Sequence, residues 1–277
     1  MHNFFRRCRL CSSFLSFKKM IPLLLLLLLF ITGSVRSEEE NVICEEIVIK
    51  ERCNIDRVSD LTLNRFLREY KNRKPVVITS TSNDRTITQT EKSRILSQYG
   101  QEIVTLGTSN TYTGRKSTRT KLQDYIAYME NRTTQTNETW YMFGDTVEEF
   151  WDIVMKDYEI PKLIEEEKEI DHTVRFTATI GMGGVHSGVP FHTHNDGWSE
   201  VLWGAKRWFL FPRGVIPEFD PDRSQYEWLQ TSYPQYLERD EIIECVIRPG
   251  EALYFPSNWY HATLNLSPYT VFISTFT

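Results

Sequence analysis

Residues 188–212 read GVPFHTHNDGWSEVLWGAKRWFLFP, and residues 249–266 read PGEALYFPSNWYHATLNL. Both stretches are rich in β-branched and aromatic residues and are broken by Gly/Pro turns. The same texture begins at Thr173 and runs to the end of the chain: TVRFTATIG, FHTHN, SEVLWG, RWFLFP, IIECVIRP, ALYFP, HATLNL and TVFISTF. Many short strands with turn residues between them describe a barrel or jelly roll. One insertion, SQYEWLQTSYPQYL (224–237), reads as helical. Residues i and i+2 of a strand point the same way. His192 and His194 are therefore expected on one face, and His261 can complete a cluster of three. Such a cluster suits a metal ion, but alternating histidines also suit the wet lining of a barrel. A shifted register would instead pair His194 with Asp196. The Asn195-Asp196-Gly197 turn signal is expected to carry Asp196 past the strand.

Upstream, Leu61, Leu63, Phe66, Leu67 and Tyr70 form a helical stripe. PVVITS, EIVTLG and WYMFG read as strands. EKSRILSQY, the stripe Leu122, Tyr125, Ile126, Met129, and the stripe Val147, Phe150, Trp151, Val154, Met155 read as helices. The fold class is thus mainly β with an α/β N-terminal part. A single domain spans 38–277, with 38–172 as the cover and 173–277 as the barrel core.

The first 37 residues read as a signal peptide. Arg6, Arg7, Arg9, Lys18 and Lys19 precede an apolar run from Ile21 to Ile31, which is too short to cross a bilayer as a helix. Val35 and Ser37 fit the −3 and −1 positions of a cleavage site. An uncleaved signal anchor is the alternative. Cleavage leaves no span and 26 basic against 37 acidic residues, a net charge of −11. An acidic chain with no basic stripe argues against nucleic acid as a partner. No P-loop, dinucleotide fingerprint or G-x-S-x-G elbow is present. Export to the endoplasmic reticulum lumen, or secretion, makes lumenal or secreted proteins the expected partners. Asn131-Arg-Thr and Asn137-Glu-Thr are expected to carry glycans on a loop. Asn265-Leu-Ser also matches, but it lies in a predicted core strand. Cys44 and Cys53, close in sequence, are expected to form a disulfide, with Cys245 a buried free thiol.

The segments SGVPFH, GAKRWFLFP and FPSNWYH, preceded by LTLNRFLREYKNRKPVVI (61–78), resemble the JmjC branch of the cupins over roughly residues 44–277. The resemblance implies a double-stranded β-helix holding Fe(II) and 2-oxoglutarate. It also implies that His192 and His261 are iron ligands and that Lys206 pairs with the distal carboxylate of 2-oxoglutarate. Tyr112 matches a tyrosine that binds the same carboxylate. Three positions depart from the family pattern. His194 stands where the family usually has a carboxylate, Val189 where a hydroxyl is common, and Ser199 near a position often held by Asn. Three neutral imidazoles can still hold a divalent ion, with an affinity expected to fall as pH drops through about 6.5. Two readings follow. One is a degenerate site in a regulatory or scaffolding protein that works through protein–protein contacts. The other is a working Fe(II)/2-oxoglutarate protein hydroxylase.

Overall fold

The computed structural model describes residues 51–277 apart from residues 80, 109–115, 132–138 and 145–148. The signal segment, Cys44, Tyr112, Asn137 and Val147 lie outside the described residues.

The strands are β1 (Arg57–Val58), β2 (Val76–Thr79), β3 (Ile103–Thr108), β4 (Ser117–Lys121), β5 (Trp140–Tyr141), β6 (Thr177–Gly183), β7 (Gly188–His192), β8 (Gly197–Trp203), β9 (Lys206–Phe211), β10 (Ile243–Ile247), β11 (Glu251–Phe255), β12 (Tyr260–Asn265) and β13 (Thr270–Phe276). Strands β6 to β13 wind between two facing sheets. One sheet has the order β1-β2-β11-β8-β13-β6 and the other β10-β9-β12-β7. This is the double-stranded β-helix. A third sheet, β4-β3-β5, joins through the Met142–Met182 bridge. The N-terminal part is more than a cover: β2 pairs antiparallel with β11, and β1 extends that edge.

Strand alternation sorts the side chains. Val77, Val201, Leu253, Phe255 and Phe272 of the large sheet meet Trp208, Leu210, Cys245 and Ile247 of the small one. The intervening residues are buried too, because helices cover the outer faces. Trp198, Ala252 and Tyr254 pack under Phe66, Tyr70, Leu163 and Ile164. Ile180, Met182, Leu202 and Ile273 pack under Tyr125, Ile126, Met129 and Trp151. Burial on both faces explains why these strands read as nearly continuous apolar runs rather than clean alternations. Among the described residues, no helix is long and apolar enough to cross a membrane.

The helical insertion is two helices, Gln225–Thr231 and Tyr233–Arg239, with Pro234 in the first turn of the second. Proline is tolerated there because the first-turn N–H has no intrahelical partner. The pair lids the outer face of the small sheet, where Trp228 and Tyr233 pack edge-on against Phe209. Beneath it Arg207 and Glu244 form a fully buried ion pair at 2.6 Å.

The disulfide expectation is overturned. Cys53 bonds to Cys245, 192 residues away. Cys245 points into the core from β10, as its apolar neighbours imply. The segment before β1 is brought alongside that strand: Asn54 N donates to Glu244 O at 3.1 Å, and Asn54 Oδ1 accepts from Glu244 N at 2.8 Å. Proximity in sequence favoured Cys44, whereas edge pairing delivers Cys53 to a distant strand.

Two glycosylation expectations can be placed. Asn131 ends the helix Leu122–Asn131, exposed, with its Nδ2 donating to Ala127 O, and so lies on a helix end rather than a loop. Asn265 is fully buried and donates to Ser187 Oγ, so it is closed to a glycan.

Candidate metal centre

His192 and His261 are direct cross-strand partners on β7 and β12, with ring centroids 4.3 Å apart. The strands approach closely here. A Cβ on Gly188 would stand 1.9 Å from Thr263 O, so glycine is required beside the irregular register between His261 and Thr263. His194 joins them by a different route from the one its spacing suggested. β7 ends at His192, so His194 belongs to the following turn and not to the ladder. Asn258 N pins that turn by donating to His194 O at 2.9 Å. The His194 ring then folds back against Phe255 and Phe276, at 5.4 and 5.0 Å between centroids.

The three rings offer one nitrogen each, all within 4.8 Å of one another. Each Nδ1 faces a backbone carbonyl: Pro190 O at 2.8 Å, Asn195 O at 2.6 Å and Trp259 O at 3.0 Å. A carbonyl only accepts, which assigns the proton to Nδ1 and leaves a lone pair on each Nε2. The Nε2 atoms of His194 and His261 lie 3.1 Å apart. Two lone pairs at that distance repel unless a cation lies between them. Burial pushes the His192 imidazole down to about 4 and holds His261 well below its ordinary value; it lowers His194 as well. The cluster is therefore set against protons and open to a metal. Neutral imidazoles, one buried and two half-buried, oriented by carbonyls through their other nitrogen are a ligand set for a divalent ion. The donor set fits Fe(II) or a similar ion, although among the described residues no carboxylate joins it to offset the ion's charge.

Asp196 does not supply that carboxylate, and the shifted register is excluded. Its side chain turns outward to Lys71 at 2.9 Å, to Tyr254 Oη at 3.3 Å and to Thr277 Oγ1 at 2.6 Å.

Lys206 lies deeper, 1% exposed. Its Nζ donates to Tyr141 Oη at 2.9 Å and to Asn265 Oδ1 at 3.3 Å, and stands 3.7 Å from the centre of the Phe272 ring. No carboxylate pairs with it among the described residues, and burial holds its pKa well below the ordinary lysine value. Among the described residues the tyrosine beside it is Tyr141, from the strand read as WYMFG; Tyr112 lies outside the described residues. Tyr141, Asn265 and Thr263 are the site residues that sequence reasoning missed. Tyr141 and Asn265 lay in strands already read as such, but nothing local marked them as facing Lys206. Ser199 does not line the cavity: its hydroxyl accepts from Ser274 Oγ at 3.1 Å, and Ser274 forms the wall. Val189 does line it.

The space between the histidines and Lys206 is narrow. Phe143, Phe255, Phe272, Phe276 and Trp208 close it to a cavity of about 20 Å³. That is room for one or two waters. Trp208 also carries a buried indole N–H with no hydrogen-bond partner among the described residues. A five-carbon dicarboxylate does not fit this space. The metal fits the residues present; 2-oxoglutarate does not fit the space that these side chains leave.

The Cupin-like domain family matches residues 63–276. Human JmjC domain-containing protein 8 is 38% identical over 234 residues, covering 82% of this chain and 84% of that protein. The Arabidopsis thaliana lysine-specific demethylase JMJ21 is 32% identical over 78% of this chain, which spans 24% of that longer protein. The Gallus gallus 2-oxoglutarate and iron-dependent oxygenase JMJD4 is 28% identical over 46% of this chain and 28% of its own length. With eight strands wound as a double-stranded β-helix, and with these matches along most of its length, the chain belongs to the cupin-like JmjC family.

Proposed function

We propose that this protein is an exported JmjC-family member whose three-imidazole centre holds a divalent ion as part of the fold, and which acts as a regulatory or scaffolding protein through protein–protein contacts. One observation carries this reading: aromatic side chains fill the space between the histidines and Lys206, leaving about 20 Å³. The Lys206 amine supports it, because its three donor directions already meet Tyr141, Asn265 and the Phe272 ring. A second reading, an active Fe(II)/2-oxoglutarate protein hydroxylase of the endoplasmic reticulum lumen, is favoured by the absence, among the described residues, of a carboxylate opposite that buried lysine. Relatives named as a demethylase and an oxygenase point the same way.

Decarboxylation of 2-oxoglutarate under air separates the two. The Fe(II)-loaded parent will show none above background. His194→Asp restores a carboxylate at the altered position but leaves the cavity filled, so it will stay inactive too. Turnover by the parent that requires both His192 and Lys206 contradicts the proposal. Turnover gained only in His194→Asp means that the ligand was lost and the pocket was not.

Export rests on the basic segment, the apolar run and the Val35/Ser37 pair. The mature chain will begin at Glu38 and carry an endoglycosidase-sensitive mass that shrinks in Asn131→Gln and Asn137→Gln. An intact Met1 on a glycan-free protein contradicts it.

A further inference from the structure

On the outer face of the six-stranded sheet, turned away from the histidines, a cleft of about 540 Å³ opens beside β2 and the start of the helix Lys162–Ile170. That is the size of a ligand site rather than a packing defect. Glu200 forms its floor. Strand alternation turns Glu200 out of the barrel while Val201 points in, and its side chain is 1% exposed. Its carboxylate accepts from Asn83 Nδ2 at 2.8 Å and from Tyr158 Oη at 3.2 Å. Both donors are neutral, and no cation acts on Glu200 among the described residues. A buried carboxylate without a countercharge is costly to maintain. Burial raises its pKa; Thr81, Asn83 and Tyr158 oppose the rise. Thr81, on the cleft wall, is close enough to have that effect, yet its buried Oγ1 meets no partner in hydrogen-bonding geometry.

The site is built rather than incidental. Asn83, 4% exposed, is fixed by two hydrogen bonds to the Glu159 backbone, at 3.0 Å to its O and 2.8 Å from its N. Leu61, Ile78 and Ile160 supply apolar walls, and Asp60 and Glu165 add acidic groups to the lining. The lysine of the lining, Lys162, is 83% exposed and turned to Glu166 at 3.1 Å. A cleft with aliphatic side chains in its walls and a buried carboxylate beneath its floor is complementary to an alkyl stem that ends in a cation.

We propose that this cleft binds a lysine or arginine side chain presented by a partner protein, with the stem along Leu61, Ile78 and Ile160 and the cationic head toward Glu200. The proposal goes beyond the metal-centre reading and does not depend on it.

The test is titration of the purified mature protein, followed by NMR, with capped Gly-Arg-Gly and Gly-Lys-Gly peptides. A capped Gly-citrulline-Gly peptide supplies the neutral isostere, and n-butylguanidinium the free alkyl cation. The cationic peptides are expected to perturb residues around Glu200, with an affinity that falls about tenfold or more in Glu200→Gln. Glu165→Gln, at a less buried position that should not disturb folding, is expected to weaken binding about threefold. That variant decides the matter if Glu200→Gln misfolds. Chelating the metal must leave the affinity unchanged, so this result is independent of the turnover assay. Equal binding of the citrulline peptide, or unchanged binding in a folded Glu200→Gln, overturns the cation site. n-Butylguanidinium binding as tightly as the arginine peptide overturns the assignment to a partner protein.

Discussion

Replacing Cys53 with Ser will lower the unfolding free energy of the mature protein by about 5 kcal/mol. The bond to Cys245 closes a loop of 192 residues. In the chain-entropy account, the denatured ensemble gains freedom with the logarithm of loop length when such a bond is lost, which gives a figure of this size. Cys53 is on the exposed side of the bond, so serine there introduces no buried hydroxyl. The remaining Cys245 thiol stays in the core as a small apolar group. A local effect adds to the entropic one. The Asn54 bonds to β10 and the Arg57 bond to Val246 O hold the N-terminal segment on the barrel, and they lose their covalent anchor. Denaturant unfolding of oxidised parent and variant measures the difference, and non-reducing peptide mapping identifies the bond. A midpoint shift worth less than about 1 kcal/mol, or a Cys44–Cys53 peptide, contradicts the assignment.

Replacing His261 with Ala will abolish divalent-ion binding. His261 is the central ring of the cluster: it faces His192 across the ladder and His194 at 3.1 Å. Without it, two imidazoles from a strand end and a turn remain, with no carboxylate to help. At an ion concentration about 100 times the dissociation constant, the parent gains about 2.7 kcal/mol of stability, and the variant gains nothing. Thermal unfolding with and without the ion reads this directly. Equal stabilisation of parent and variant places the ion elsewhere.

The acid dependence follows from the same burial. All three imidazoles have folded pKa values below that of an exposed histidine. Below about pH 6.5 the unfolded chain takes up protons that the folded metal-free protein refuses. Stability of that form is therefore intact above pH 6.5 and declines as pH falls toward about 4, the value for His192. Because burial lowers all three imidazoles, the metal meets less proton competition inside the folded site than at exposed histidines. Its affinity will thus persist below about 6.5, where the ordinary histidine pKa suggested a loss. Affinity that halves near pH 6.5 indicates exposed rather than buried ligands.

The barrel was legible because its strands are short, β-rich and punctuated by Gly/Pro turns, and because His192 and His261 flank an unbroken set of them. Burial on both sheet faces blurred the alternation without hiding the strands. The three histidines and Lys206 were legible as site residues, but the route that brings His194 to the cluster was not. His194 reaches the cluster from a turn pinned by Asn258, a tertiary hydrogen bond with no local sequence signal. Tyr141 reaches Lys206 across 65 residues, and Cys53 reaches Cys245 across 192. Such pairings are set by which edges the sheets leave open. The narrowness of the cavity depends on five aromatic rings from four parts of the chain meeting in one place, which no single segment encodes.

Anaerobic calorimetric titration of 2-oxoglutarate into the Fe(II)-loaded mature protein distinguishes a closed centre from a cosubstrate site. No saturable heat is expected up to millimolar concentration, although the same sample has bound its ion through His261. A stoichiometric isotherm that is lost in Lys206→Met would show that the aromatic rings open to admit the cosubstrate, and would contradict the closed centre.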